Sequence, residues 1–410
     1  VSEFERVRLG DLVDSISVKH KFDKDKLVFL NTSDILNGEI LHHNYNEVSK
    51  FPGQAKKTIN NGDILYSEIR PKNRRFAFVD FDSEDYVVST KLMVLRVKAD
   101  TRVLVKYVYY YLTMDQTINQ LQSIAEYRSG TFPQITFSEL SSLEIPLPSI
   151  DEQERIVDII ESIDRKESLN HEMNETLEEM AMTLYKHWFV DFGPFQDGEF
   201  VESEWGMIPK NWEIHSLYNI ADFVNGKAFK MKNLNDFEGL PVIKIAELKS
   251  GITRNTKFYM NKYDMKHEIN DGGILFAWSA SLGVYMWTKG KALLNQHIFN
   301  VQPKEKSNIT KPLIYFILKR VINKFVSIAA GRATTMGHIT KQHLIDEKIA
   351  LPTSELLDQI QKQLKPYYDL ILSNSKEIEE LISLRDYLLP KLISGEIDVS
   401  DAEGIVDETL

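Results

Sequence analysis

The stretch SIDEQERIVDIIESIDRKESLNHEMNETLEEMAMTLYKHWFVDFGP, Ser149 to Pro194, decides how the chain is read. Apolar residues recur in it with heptad-like spacing, at Ile156, Ile159, Ile163, Met173, Leu177, Met180 and Leu184. That spacing places them on one stripe of a helix of roughly 40 residues. At about 1.5 Å per residue such a helix is a rod roughly 60 Å long. Ser149 followed by Glu152 predicts a capping box at its start, and Gly193-Pro194 predicts its end. The stripe also carries Lys166 and Asn170, polar residues of the kind that fix register in a coiled coil at some cost in stability. The pattern asks for a partner helix.

The partner lies in the same chain. Moving 204 positions on, Ser149 becomes Thr353, Ile156 becomes Ile360, Asn170 becomes Asn374, Leu177 becomes Leu381, Met180 becomes Leu384 and Leu184 becomes Leu388. A constant offset with the seam asparagine repeated marks the second helix as a copy of the first. Pro366 stands where the first helix has Ser162, which predicts a kink.

Working outward, the segment before each helix also recurs. WEIHSLYNIAD answers FERVRLGDLVD, VIKIAELKSGI answers LNTSDILNGEI, NDGGILFA answers NNGDILYS, PLIYFILK answers KYVYYYLT, and HITKQHLIDEKIALP answers QITFSELSSLEIPLP. Runs rich in Val, Ile, Leu and Tyr (LVFLNTSDI, DILYSEI, YVVSTKLMVLRV) read as strands, and VKYVYYYLTMDQTINQLQSI reads as one helix. The fold class expected is α+β: two duplicated α/β domains separated by two long helices that pair as a coiled coil. The expected divisions are a first domain over 1–148, a first spacer helix over 149–194, a linker and second domain over 195–352, a second spacer helix over 353–396 and an acidic C-terminal tail over 397–410. The offset drifts inside the domains and is fixed along the helices, so the domain loops vary in length while the rods do not.

With 410 residues, 43% of them hydrophobic, the chain can build two or three packed units, and no apolar run approaches a membrane span. It has no cysteine, which excludes disulfides and thiolate metal sites. No basic leader with an apolar core is present, and a cytoplasmic location without membrane association is expected. Net charges counted over 1–150, 151–199, 200–350 and 351–410 are −1, −10, +8 and −8. The acidity therefore belongs to the rods and the tail. A cationic second domain and the run RPKNRR (Arg70 to Arg75) supply local basic surface, although such a run is also consistent with a solvated loop.

These features together resemble the DNA-specificity subunit of type I restriction-modification systems. SGTFPQITFSELSSLEIPLP followed by DEQERIV, the diverged copy HITKQHLIDEKIALP, and LRDYLLPKLISGEI at the end of the second helix carry the resemblance, which covers essentially the whole chain. AGRATTMGHI departs from SGTFPQI in the second copy. The resemblance implies two target-recognition domains, each reading half of a split site in double-stranded DNA. It also implies antiparallel helices that act as spacer and docking surface for two modification (methyltransferase) subunits, with restriction (translocase/endonuclease) subunits joining the complex. The chain itself would be non-catalytic, without cofactor or metal of its own, and S-adenosylmethionine would be used by the methyltransferase partners.

For DNA contact the first domain offers Arg70, Lys72, Arg74 and Arg75, with Arg128, Ser129 and Thr131 beside Gly130. The second offers Lys227, Lys230, Gln296, His297, Arg332, Thr334 and Thr335. Forked or long cations suit phosphates and guanine edges, Gln suits an adenine edge, and Thr suits a thymine methyl or a phosphate. Gln296 and His297 are equally read as packing residues, and Trp278 as a buried one. The coiled-coil seam is assigned to Ile156, Ile163, Asn170, Leu177 and Leu184 with Ile360, Asn374, Leu381 and Leu388.

Two other readings compete. Asp63 with Glu68 and Arg70 looks like a fragment of a Mg²⁺-dependent nuclease, but the second copy has Gly273 and Trp278 at the carboxylate positions. A coiled-coil scaffold without DNA specificity would explain the rods and not the paired basic loops. No GxxxxGK[ST] loop and no Asn/Asp-Pro-Pro-aromatic stretch is present, and His187, His338 and His343 read as surface or capping residues.

Overall fold

The same two sheets, with strands in the same spatial order, occur once in each half of the chain. The computed structural model describes residues 4–253, 255–279, 281–330 and 337–410. Two compact units result, Val1–Lys166 with Leu381–Leu410, and Glu167–Glu380.

In the first unit an antiparallel sheet runs in the order Val13–Ile16, Leu92–Val97, Ile64–Ser67, Phe76–Phe78. A second sheet runs Tyr45–Glu47, Lys26–Leu30, Tyr86–Ser89, Ala55–Thr58, its two inner strands being parallel. In the second unit the corresponding orders are Ala221–Asn225, Ile298–Pro303, Gly273–Ala277, Gly283–Trp287, and Phe258–Tyr259, Leu240–Ile243, Ala292–Leu294, Glu268–Ile269. The parallel pair is again the inner one. Each domain is closed by pairing its opening strand with its last, Glu5–Arg8 with Glu144–Leu147 and Glu213–Ser216 with Lys348–Leu351. A duplication read from loose sequence correspondence is thus repeated strand for strand.

The helix expected over VKYVYYYLTMDQTINQLQSI is two helices, Val105–Thr113 and Asp115–Arg128. Met114 between them is extended, with ψ near 146°, and is buried in the core. Apolar periodicity continues across this break because both pieces pack on the same core, so the pattern could not reveal it.

The long helices span Ile150–Phe189 and Ser354–Ser394. Ser149 and Glu152 form the capping box, with the Ser149 amide donating to Glu152 at 3.1 Å and the Glu152 amide to Ser149 Oγ at 3.3 Å. The second helix runs unbroken through Pro366, which is exposed, as is Lys362, the residue whose carbonyl a proline at 366 leaves without an amide partner. Within the first unit the start of one helix shares a core with the end of the other: Ile156, Ile160 and Ile163 with Leu381, Leu388 and Leu392. Within the second unit Ala181, Tyr185 and Phe189 share a core with Leu357, Ile360, Leu364 and Ile371. Both pairings are antiparallel.

Asn170 and Asn374 are buried, at 2% and 5% exposure, but they do not bond one another. Asn170 Nδ2 donates to Glu377 at 3.0 Å, and Asn374 Nδ2 donates to Asn174 Oδ1 at 3.0 Å. Asn174 in turn donates to Ser375 Oγ at 3.2 Å. Of the remaining seam residues, Leu177 and Leu184 are only partly buried, and Met173 and Met180, which the spacing places on the stripe, are exposed. The stripe thus turns away from its partner in the second half of the first helix.

The segment expected as an acidic tail is a helix, Val399–Thr409, with Val399, Ala402 and Val406 buried in the core of the first unit. Arg155 fastens it through Glu403, at 2.8 and 2.7 Å, and Ser400. Its apolar residues fall three and four apart and form one face of a helix, which its net charge had hidden.

Candidate nucleic-acid interface

In the first unit the strand Ile64–Ser67 leaves its sheet at Glu68. There the Glu68 amide donates to the Lys91 carbonyl at 3.1 Å, and the Glu68 carbonyl accepts from the Ile135 amide at 2.9 Å. Ile69 bridges Gln134, and the Arg70 amide donates to the Pro133 carbonyl at 3.1 Å. A strand exit, the turn at Lys91 and the loop before Thr136 are therefore zipped together. In the second unit the Trp278 amide donates to the His297 carbonyl at 3.3 Å, the Trp278 carbonyl accepts from Ile339 at 2.9 Å, and Ser279 bridges His338. The backbone frame repeats, but its side chains do not. Glu68 pairs with Lys91 at 3.4 Å, whereas the Trp278 ring lies 5.5 Å from His297 and 6.4 Å from His338.

The basic run forms a turn raised on this frame. Arg70 and Arg74 are both left-handed, with φ of 44° and 51°, a conformation that side chains resist and that here encloses the turn Pro71–Asn73. The Lys72 amide is held by Gln122 Oε1 at 3.1 Å, and the Asn73 amide by the Arg70 carbonyl at 2.7 Å. The four cations then part company. Arg75 is spent on the fold, donating to the carbonyls of Ser33 and Ile35 at 2.9 and 2.8 Å. Arg74 is paired with Asp115 and donates to Asn37 Oδ1 at 3.3 Å. Arg70 and Lys72 are exposed, and among the described residues their side chains meet no partner.

Beside this turn lies the loop that follows Asp115–Arg128. Arg128 is bound to Glu139 at 2.8 Å, and Ser129 Oγ accepts from the Phe132 amide at 3.3 Å. Thr131 is exposed. Burial opposes ionisation of Glu139, but hydrogen bonds from the Thr136 hydroxyl and amide, aided by Arg128, outweigh it and hold the carboxyl below its usual range. Two residues that the reading of cations and hydroxyls passed over stand out: Tyr127 is 97% exposed and Phe132 48%. Aromatic side chains at that exposure in a basic loop are the available signal, since they gain nothing from the core.

In the second unit Lys227 and Lys230 are exposed. The Lys227 amide donates to the Leu294 carbonyl at 2.9 Å, which draws its loop against the frame. Gly226 permits that approach, because a Cβ there would collide with the Asn295 carbonyl. Gln296 and His297 are exposed, with His297 Nδ1 3.1 Å from Ser279 Oγ and Gln296 Nε2 3.3 Å from His297 Nε2. Trp278 is half-buried, with its Nε1 donating to Asn225 Oδ1 at 3.2 Å and its ring 5.7 Å from Phe299. Arg332, Thr334 and Thr335 lie outside the described residues.

The nuclease fragment does not assemble. Asp63 is fully buried, gripped by Arg96 at 2.7 and 2.8 Å and by the Asn60 amide at 2.7 Å, so its oxygens hold a turn and an ion pair. The Asp63 contact in turn raises the pKa of Arg96. Glu68, half-buried where the strand leaves its sheet, is paired instead with Lys91. His343 caps the helix Lys341–Asp346 by accepting from the Thr340 amide at 3.1 Å, and His187 is an exposed residue packed over Gly193. Among the described residues no group of three or more His, Asp or Glu is placed to hold a metal ion, and no helix is long and apolar enough to cross a membrane.

Comparison with known proteins gives the same answer for both halves. The family described as type I restriction modification DNA specificity domain matches residues 1–179 and again 209–383. The type I restriction enzyme HindI specificity subunit of Haemophilus influenzae is 32% identical over 463 aligned residues, covering 97% of this chain and all of that one. The type I restriction enzyme MjaIX specificity subunit of Methanocaldococcus jannaschii is 27% identical, covering 71% of this chain and 69% of that one. The solved S subunit of the type I system from M. genitalium is 15% identical and shares the fold, with a TM-score of 0.52 over 95% of this chain and 96% of that one. The chain belongs to the family of type I restriction-modification DNA specificity proteins.

Proposed function

We propose that this chain reads a two-part sequence in double-stranded DNA, one half with each unit, and directs adenine methylation and restriction carried out by partner subunits. One observation carries the reading: the backbone hydrogen bonds that join Glu68 to Lys91 and Ile135 recur in the second unit between Trp278 and His297 and Ile339, while the side chains at Glu68 and Lys91 are replaced by Trp278 and His297. A repeated frame presents a groove-reading edge in the same way twice, and changed side chains make the two edges prefer different bases. Glu68 and Lys91 offer an acceptor and a cation, whereas Trp278, His297 and Gln296 offer an indole face, an imidazole and an amide. Arg70 and Lys72 in one unit, and Lys227 and Lys230 in the other, supply phosphate contacts beside each edge.

The partners in this reading are two methyltransferase subunits, which bring S-adenosylmethionine and its chemistry, and restriction subunits that translocate and cut. The long helices set the gap between half-sites and offer docking surface, and the work is done in the cytoplasm. To test it, the chain and its methyltransferase partner are expressed in a host without adenine methylation, and methylated adenines are mapped with their sequence context. A split motif with a fixed gap, absent when this chain is omitted, is expected. A contiguous motif, or methylation that persists without the chain, would overturn the reading.

A further inference from the structure

The stretch DEQERIV before the first helix contains a glutamine that the DNA-reading account leaves unused. Gln153 is fully buried, and its amide is saturated by backbone. Its Oε1 accepts from the Leu104 amide at 2.9 Å, and its Nε2 donates to the carbonyls of Arg102 at 3.1 Å and Pro148 at 3.0 Å. Leu104 is the residue on which the helix Val105–Thr113 begins. Gln153 therefore pins the entry of a domain helix to the first turns of the long helix.

The second unit has the same clamp, built from a different position. Gln361 is 3% exposed; its Oε1 accepts from the Thr310 amide at 2.6 Å, and its Nε2 donates to the Asn308 carbonyl at 3.0 Å. Thr310 immediately precedes the helix Lys311–Ala330. Asn308 and Thr310 correspond to Arg102 and Leu104, and the residue between each pair, Val103 or Ile309, is buried. Along the long helices, however, Gln361 aligns with Val157 and Gln153 with Leu357, both buried apolar residues. The clamp has moved by one helical turn, about 6 Å at 1.5 Å per residue. Asn308 is left-handed, with φ of 49°, so the second clamp also holds a strained carbonyl in place. Burying an amide that merely fills space would leave its polar atoms unpaired at a cost, so the pairing of both amide ends with backbone in each unit, from non-equivalent positions, marks the contact as what the two units share and the position as what differs.

We propose that Gln153 and Gln361 are positioning residues for DNA reading, each fixing the seat of its domain on its own long helix, with the one-turn displacement giving the two domains different seats. This rests on the two-part reading above. Gln153→Met and Gln361→Met keep side-chain length and remove the hydrogen bonds. In the full chain, hydrogen exchange over 102–106 is expected to rise roughly tenfold in Gln153→Met with 308–312 unchanged, and the reverse in Gln361→Met. Exchange equal to wild type would overturn the clamp. In the complex, methylation mapping is expected to show several-fold more methylation at sites whose gap is one base pair longer or shorter, with base preference in both halves kept. That ratio is internal to each sample, so partial misfolding does not move it; an unchanged ratio would overturn the positioning role even if exchange had risen. A wild-type chain that yields no split motif would remove the DNA reading and the positioning role with it, while the exchange result would still decide the clamp.

Discussion

Replacing Arg70 and Lys72 by Ala separates the cations that face solvent from those the fold consumes. Each side chain is exposed and unpaired among the described residues, so each is available to displace one condensed counterion from DNA. Two phosphate contacts at about 0.9 each lower the slope of log affinity against log salt by roughly 1.8. Between 50 and 200 mM salt, wild type should then lose roughly twelvefold more affinity than the double variant. Arg75→Ala should behave in the opposite way. It removes two charged hydrogen bonds to the Ser33 and Ile35 carbonyls, worth about 1.5–3 kcal/mol each, and should lower stability while leaving the salt slope alone. The assay is fluorescence anisotropy with the assembled complex on a cognate duplex at four salt concentrations, alongside urea denaturation of each chain. An unchanged slope in the Arg70/Lys72 variant, or a slope change in Arg75→Ala equal to theirs, would refute the division.

Three further outcomes follow from the same geometry. Arg96→Ala strands the buried Asp63 carboxylate and should cost about 3 kcal/mol, near the low end for a broken buried pair because Arg96 is 36% exposed and water can enter; denaturation showing no loss would contradict the structural role of Asp63. Phe132→Ala and Tyr127→Ala should each weaken binding by about 1 kcal/mol without changing stability, since neither is in the core, and wild-type affinity on a cognate duplex would remove both from the interface. Asn374→Leu should cost about 1–2 kcal/mol by orphaning Asn174 Oδ1, and the double change with Asn174→Leu should recover it, a double-mutant cycle in which simple additivity would count against the polar network.

Long-period features were legible in the sequence because they are properties of one element. Ile156, Ile163, Leu381 and Leu388 announce their burial by spacing, Ser149 and Glu152 announce a cap, and the duplication needs only a repeated order. The division of labour within RPKNRR was not legible, because what commits Arg75 and Arg74 comes from Ser33, Ile35, Asn37 and Asp115, some 40 residues away. The break at Met114 was hidden for the opposite reason, since both helices on either side bury the same face. Charge misled at the C-terminus, where acidic residues surround Val399, Ala402 and Val406 without interrupting their helical spacing. Gln153 stands within DEQERIV, but its role was invisible there, since all three of its partners are backbone atoms that sequence does not distinguish.

One frame, built twice, is expected to read two unrelated half-sites independently. Lys91 and His297 occupy the same place in that frame, each offering its carbonyl to the strand exit. The deciding measurement maps methylated adenines with Lys91→Ala and with His297→Ala in otherwise identical complexes. Each variant should relax base preference at one or two positions, by about 1–3 kcal/mol, in one half-site only, and the two variants should affect opposite halves. Relaxation of both halves by either variant, or of the same half by both, would contradict that independence.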